Sequence, residues 1–201
     1  MITRATLSTI EQGLPKYRSM LAGNAAFDPS AFDAIATVSL STATSSITFS
    51  SIPSTYKHLQ VRTMARDSVN AASSASGIRF NGDTGNNYGY HKLYGTGSVV
   101  GSTSATSLNG IQHSLLIPAA TNTANAFGVA VIDILDYTNT NKWITTKSFA
   151  GYETNGGTEY QLQLGSGYWA NTAVVTSLTI YSTSVSFVAN SHFALYGIEA
   201  V

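Results

Sequence analysis

The feature that most constrains the fold is the repeated alternation of short β-branched or aromatic runs with clusters of Ser, Thr and Asn. Ser and Thr together form about a quarter of the chain, with 26 Ser and 25 Thr among 201 residues. In 45–53, for example, Ile and Phe are separated by Ser and Thr, and Pro53 ends the run. Such runs favour strands, and the polar clusters favour the turns between them. The pattern predicts an all-β protein with many turns.

The composition limits both the number of domains and the class of partner. A chain of 201 residues is long enough for one β-sandwich or barrel. The formal net charge is zero and the five Arg are scattered, so we expect no basic surface for nucleic acid. Charged residues make up only 10% of the chain. A surface this poor in charge favours a protein covered by copies of itself or by a larger assembly.

Targeting and crosslinking signals are also limited. The chain has no Cys, which excludes disulfides and thiolate metal sites. No apolar stretch approaches the roughly 18 residues of a membrane-spanning helix, so no membrane insertion is expected. Thr3, Arg4, Thr6 and Ser8 interrupt any apolar core of a secretion signal. We therefore expect synthesis in a cytoplasm, with any later exposure reached by another route.

Residues 1–32 differ in composition from the rest and predict a short N-terminal attachment arm, partly helical or extended. Ser8 followed by Glu11 is a weak capping box, and Gly13 with Pro15 ends any helix after one or two turns. A frayed terminus is the alternative, but the apolar residues exceed what a solvated tail needs. The candidate anchoring residues are Ile2, Leu7, Ile10, Leu14, Met20, Leu21 and Phe27.

Residues 33–201 predict a two-sheet antiparallel sandwich of jelly-roll type, built from ten or so strands separated by turns. The run 127–137 is apolar on both faces and is expected to be the central strand. The strands 34–40 and 45–50 are expected to pair, and 67–76 and 95–106 are expected to be loops. The remaining predicted strands are 56–66, 77–81, 88–94, 111–117, 143–151, 160–164, 174–181 and 192–198.

Catalytic and metal-binding patterns are weak. Asp133 and Asp136 are three residues apart, which places them on opposite faces of a strand and prevents them from acting as a glycosidase pair; we expect Asp133 to point inward. The turn 81–87 does not follow the EF-hand order. The four His lack metal-ligand spacing, and no GxSxG or P-loop occurs. A Ser/His/Asp triad stays open, although no Ser is marked out as a nucleophile. We expect no catalytic residue, metal or cofactor.

Aromatic residues are the remaining candidates for ligand binding. Three tyrosines share one face of the strand 88–94, with Lys92 between them, and a Tyr-Trp pair follows Gly165 and Gly167. Exposed rings of this kind stack on sugars, whereas buried rings would pack between sheets or subunits. The glycines at 89 and 95 weaken the opposite face, which favours burial. The candidates are Tyr88, Tyr90, Tyr94, Tyr168 and Trp169.

Five segments carry a resemblance to a known family. They are FDAIATV at 32–38, ITFSSIPSTYKHLQ at 47–60, IRFNGD at 78–83, VIDILDY at 131–137 and ANSHFALYGI at 189–198. These phrases resemble a family of tailed-bacteriophage virion structural proteins, often described as tail-fibre or minor structural proteins. The likeness covers about 33–198, holds strand and turn phrases only, and includes no catalytic signature. Residues 1–27 look like a variable attachment part.

The resemblance implies a place in the virion. We expect a non-enzymatic tail-fibre or baseplate component, anchored to other virion proteins by its arm, forming a homo-oligomer (a trimer) and contacting the host surface. One alternative is a capsid decoration protein, either cement or head fibre. Another is a carbohydrate-binding module that recognises host glycans. A polysaccharide-cleaving enzyme is the weakest hypothesis, because the sequence offers no plausible acid pair.

Overall fold

The computed structural model describes residues 32–154 and 160–199, which contain strands and no helix. The predicted arm therefore lies outside the described residues, apart from Phe32, which begins the first strand. The twelve strands are β1 (Phe32–Ser39), β2 (Ser46–Phe49), β3 (His58–Ala65), β4 (Ser73–Phe80), β5 (Tyr88–Gly95), β6 (Val100–Leu108), β7 (Ile111–Pro118), β8 (Gly128–Leu135), β9 (Ile144–Tyr152), β10 (Gln161–Trp169), β11 (Leu178–Ser182) and β12 (His192–Ile198).

The strands form two antiparallel sheets, which confirms the prediction of an all-β sandwich. The large sheet has the order β1-β12-β3-β8-β9-β10-β5-β6, and the small sheet has the order β2-β11-β4-β7. Strands β2, β3, β4 and β5 alternate between the two sheets. The β5–β6 hairpin stays within the large sheet, and β6, β7 and β8 then alternate again. The halves β1-β12-β3-β8 and β2-β11-β4-β7 have the connectivity of an eight-stranded jelly roll. The strands β5, β6, β9 and β10 enlarge the large sheet.

Strand alternation places one hydrophobic core between the sheets. In β3, Leu59 and Val61 are fully buried while Arg62 and Met64 are exposed, as the period-two pattern predicts. The same core cluster draws residues from both sheets, for example Ile132 of β8. Each such side chain contributes about 1.5–3 kcal/mol when it is fully removed from water, so the core dominates the stability of the sandwich.

Arg66, which directly follows β3, is buried although it carries a charge. Its guanidinium donates hydrogen bonds to the backbone oxygens of Ala119, Asn122, Thr123 and Ala126, at 2.7–3.0 Å. These oxygens belong to the connection between β7 and β8. A buried charge is tolerated when its hydrogen bonds are satisfied, so this side chain holds the connection against the end of β3.

Four predictions about strands are wrong. The first two strands do not pair: β1 pairs with β12, and β2 pairs with β11. β4 begins at Ser73, inside the predicted loop 67–76, and β6 lies largely inside the predicted loop 95–106. Both segments are rich in Ser, and β6 has no buried face to require an apolar alternation. β10 also extends to Trp169, because its small residues leave no strand signature.

Tyr88 links the core to the turn that follows β4. Its ring stacks on Trp169 with centroids 6.2 Å apart. Its hydroxyl accepts a hydrogen bond from the Phe80 N–H at 3.1 Å and lies 3.1 Å from the Asp83 carbonyl oxygen, to which it donates. Burial raises the pKa of Tyr88 to about 12. The hydroxyl therefore satisfies backbone groups that would otherwise be buried without a partner.

Replacing Tyr88 by Phe should lower the free energy of unfolding by about 1–3 kcal/mol, because the Phe80 N–H loses its acceptor in a buried site. Chemical denaturation followed by circular dichroism measures the change. Tyr90→Phe is the matched control: Tyr90 is half-buried on the same strand, and its hydroxyl has no hydrogen bond to other described residues. Equal effects of the two substitutions would contradict the role assigned to the Tyr88 hydroxyl.

Candidate functional site

The five aromatic candidates divide between the two faces of the large sheet. Tyr88 and Trp169 are fully buried in the core, so they present no surface to a ligand, and the interpretation of Trp169 as an exposed ring is corrected. Tyr90 and Tyr94 lie half-buried on the same inner face as Tyr88, in agreement with the predicted alternation. Only Tyr168 lies on the outer face, where it remains half-exposed.

The inner face also holds a polar cluster that joins β5, β7 and β10. Lys92 is buried, with its Nζ 3.3 Å from His113 Nδ1 and 3.5 Å from Gln163 Oε1. The Gln163 amide donates to the backbone oxygen of His113 at 2.7 Å, and the ring of Tyr94 lies 5.2 Å from the ammonium. Burial lowers the pKa of Lys92. The ammonium is thus held by neutral groups, not by a carboxylate.

The pKa of His113 is also shifted by burial and by its neighbours in this cluster. Burial, and then the neighbouring Lys92 charge, lower its pKa from 6.5 to about 4. Its ring lies against Tyr90, with centroids 5.0 Å apart. None of the described carboxylates is hydrogen-bonded to this imidazole, so the orienting partner of a catalytic base is not seen among the described residues. The imidazole, which belongs to the small sheet, contacts Lys92 and Tyr90 of the large sheet.

One Ser–His pair resembles a nucleophile and its base in distance alone. Ser39 Oγ lies 2.8 Å from His192 Nδ1, at an exposed position between β1 and β12. Within residues 32–154 and 160–199, no carboxylate is hydrogen-bonded to His192 to complete a triad. His58, in contrast, accepts from the backbone N–H of Asp136 at 2.9 Å. These histidines serve strand and turn contacts.

The acidic residues have structural partners. Asp133 lies on the outer face, not inward as expected, and accepts from Gln60 at 2.8 Å. Asp136 pairs with Lys57 and Lys142 in the turn after β8, and these contacts hold its pKa well below the ordinary value. The two carboxylates therefore do not face a common substrate position, as the spacing predicted.

The side chain of Asp83 stabilises the turn 81–87. Asp83 accepts hydrogen bonds from the Trp169 indole N–H at 2.7 Å, the Gly85 backbone N–H at 2.7 Å and the Asn87 amide at 2.9 Å. The Trp169 bond is the main cause that lowers the pKa of Asp83. Nowhere in the described part of the chain do three His, Asp or Glu side chains gather as metal ligands.

Exposed hydrophobic side chains cover much of the outer side of the large sheet. They lie 36–57% exposed on five adjacent strands. Strand register aligns four of them in one row across β8, β9, β10 and β5. A second row lies two residues further along, with Gly151 between its members. We call this surface the outer apolar face, and it consists of Met64, Leu93, Val129, Val131, Phe149, Leu162 and Leu164.

The outer apolar face explains why 127–137 reads as apolar on both sides. β8 is a central strand of the large sheet, as predicted. Its inner residues, such as Ile132, are buried in the core, whereas Val129 and Val131 point outward and are exposed. Contiguous apolar surfaces of this kind are uncommon on monomers and mark contact sites.

A polar row borders the outer apolar face. Asp133, Lys147, Ser166 and His91 occupy consecutive strands in register. A groove of about 550 Å³ opens over His91, Lys147 and Ser166 of this row, and Leu135 forms part of its wall. The groove therefore combines charged and hydroxyl groups with an apolar lining.

An aromatic pair lies next to the polar row. Trp143 stacks on Tyr168 with centroids 5.6 Å apart and an interplanar angle of 24°, and Trp143 is 54% exposed. Gly89 leaves the space that the Tyr168 ring fills, because a Cβ there would lie 2.6 Å from the ring. Sequence reasoning missed Trp143, since only the pairing of β9 with β10 brings it beside Tyr168.

The chain matches no protein-family model, no curated protein and no solved structure. None of the described residues belongs to a helix with the length and hydropathy that crossing a bilayer requires.

The stability of the fold should depend on His113 between pH 6.5 and 4. Because the folded pKa lies near 4 and the ordinary value is 6.5, the unfolded chain binds more protons in this range, and the free energy of unfolding falls as the pH falls. His113→Gln should remove this part of the acid dependence, as measured by denaturation at several pH values. Identical pH profiles for the wild-type protein and this variant would refute the assignment.

Proposed function

We propose that the protein is a non-enzymatic structural subunit of a bacteriophage virion, and that it assembles with copies of itself through the outer apolar face. The observation that carries the proposal is the set of exposed hydrophobic side chains aligned in two rows across the large sheet. A single chain gains nothing from leaving this apolar surface in water, whereas burying the exposed part of each side chain in an interface contributes about 25 cal/mol per Å² of apolar area before the cost of association.

A second copy of the chain is the proposed occupant of this face. The border of the face carries both signs of charge, with Asp133 opposite Lys147 in register and Arg62 opposite Val131. The chain as a whole has no net charge. Copies can therefore approach one another without net repulsion, and a charged partner would gain little. We propose a homotrimer, because fibre and decoration modules commonly occupy threefold sites.

The position in the virion follows from the resemblance described above. A tail fibre or baseplate component anchored by residues 1–32 is the proposed location, and a capsid decoration protein is the alternative. The candidate anchoring residues, from Ile2 to Phe27, lie outside the described residues. His113, His58 and Asp133 contact a lysine, a backbone N–H and an amide, respectively, and these contacts support a role without catalysis. Imaging of labelled virions would distinguish the locations.

Replacing Leu164 by Lys should weaken self-association at least about tenfold, which corresponds to about 1.4 kcal/mol. Leu164 lies at the centre of the first row, between Phe149 and Leu93, so the introduced ammonium would be desolvated in the interface. Sedimentation velocity over a range of concentrations measures the change. Ser46→Lys, on the exposed side of β2, is the control. A wild-type protein that stays monomeric at high micromolar concentration would refute the proposal.

A second candidate function is the binding of host-surface glycan, favoured by the Trp143–Tyr168 pair. Exposed stacked rings provide a flat apolar surface for the C–H face of a sugar. The adjacent polar row supplies His91, Lys147 and Ser166 as hydrogen-bonding groups around the groove. Sugar sites combine these two elements, a flat ring and a few oriented polar groups.

Replacing Trp143 by Ala should abolish detectable binding to purified host polysaccharide, because the exposed half of the platform is lost. Isothermal titration or a glycan array measures binding. Phe149→Ala is the matched control, since it removes an exposed ring from the outer apolar face and leaves the aromatic pair intact. Wild-type binding by the Trp143 variant, or equal loss in both variants, would count against a sugar site at this pair.

A further inference from the structure

β6 forms one edge of the large sheet and is highly exposed. It pairs with β5 on one side. Within the described residues, no backbone group is hydrogen-bonded to its other side. Val100 is 87% exposed, and the side chains of Ser102, Thr103 and Ser104 are also exposed. A strand edge with free N–H and C=O groups is a template for pairing with another strand.

The phase of the β-ladder identifies which groups point outward. The N–H of Ala170 donates to the Asn87 oxygen, and the N–H of Thr96 donates to the Val99 oxygen. Hydrogen-bonded pairs alternate along antiparallel strands. These two bonds show which residues of β5 are hydrogen-bonded to each neighbouring strand, and the registers extend the alternation along β6. Thr103 and Lys92 are therefore a hydrogen-bonded pair. The N–H and C=O groups of the neighbouring residues at 102 and 104 therefore point away from the sheet.

β6 lacks the features that usually block edge pairing. No Asp, Glu, Lys or Arg occurs between Lys92 and Asp133, and β6 contains no Pro. The opposite edge of the sheet, β1, carries Asp33 and a register shift after Ala34. In β6 the register shift lies beyond Ala105, toward Leu108, so the segment 100–105 is regular. Natural edges are commonly protected by charge, Pro or bulges, and this segment has none of them.

We propose that β6 pairs with β6 of a second copy, antiparallel, about a twofold axis at Thr103. In this register Thr103 faces itself, Ser102 faces Ser104, and Gly101 faces Ala105. Each pair joins residues of similar size and chemistry, and Thr–Thr and Ser–Ser pairs are favourable across strands. The two Ser102–Ser104 pairs exchange the outward backbone hydrogen bonds. The absence of charge removes like-charge repulsion at the axis, where identical residues meet.

This pairing uses a surface separate from the outer apolar face, so it stands without the proposed function. The large sheets of the two copies become one continuous sheet across the axis. The Ser, Thr, Gly and Ala residues at 101–106 suit this pairing, because small side chains let two backbones approach to the roughly 4.8 Å spacing of paired strands.

A single thiol tests the register. Because the chain has no Cys, Thr103→Cys introduces the only one. Facing residues of a non-hydrogen-bonded antiparallel pair have Cα atoms about 4.5 Å apart, within the range for a disulfide. Oxidation should convert most of this variant to a covalent dimer on a non-reducing gel. Ser102→Cys is the matched control: it faces Ser104, not itself, and should give little dimer. Equal crosslinking of both variants, or none in either, overturns the proposal.

A charge pair tests the same register without a crosslink. Ser102→Lys with Ser104→Lys places like charges opposite each other and should raise the dimer dissociation constant at least about tenfold. Ser102→Lys with Ser104→Glu places opposite charges together and should restore it. Equal dissociation constants for the two double variants overturn the proposal.

A third variant separates this interface from the outer apolar face. Thr103→Cys should still crosslink when it is combined with Leu164→Lys. Loss of crosslinking in this double variant overturns the claim that β6 pairs without the outer apolar face.

Discussion

The packing of two unequal sheets around one core is the constraint on which the structure depends. The small sheet has four strands and the large sheet has eight. Four strands cover the inner face of the large sheet only in part. The buried cluster accordingly draws fully buried residues from the central strands, such as Leu59 and Ile132, and none of the described ones from the edge strands β1 and β6. The outer face and the β6 edge are left without cover from this core.

The uncovered surfaces differ in chemistry. The outer apolar face provides apolar surface area but no hydrogen-bonding groups that fix an orientation. It therefore suits association driven by the hydrophobic effect, which is not directional. The β6 edge offers little apolar area but a fixed ladder of donors and acceptors, which sets register and symmetry. One protein with both surfaces can combine affinity from the first with orientation from the second. That combination fits the proposed role as a subunit of an assembly.

Buried polar groups stabilise the places where the core is incomplete. Arg66 holds the connection between β7 and β8 through four backbone oxygens. Lys92 and His113 fill the space between β5 and β7, where β10 contributes Gly165 and Gly167 instead of large side chains. Charged groups in such positions are costly unless they are hydrogen-bonded. Their contacts account for residues that would otherwise suggest a catalytic site.

What the sequence by itself determined is the β class, the alternation in strands such as β3, and the turn chemistry at 81–87. These features depend on local period and turn residues, which can be read directly. Tertiary structure decided the rest. Small Ser and Gly residues in β6 and β10 carry no strand signal, Trp143 meets Tyr168 only through the β9–β10 pairing, and Val131 reads as core although it is exposed. The period-two pattern of a strand shows which side chains share a face of the sheet. Only the number and order of the strands in the two sheets decide whether that face is covered by other strands.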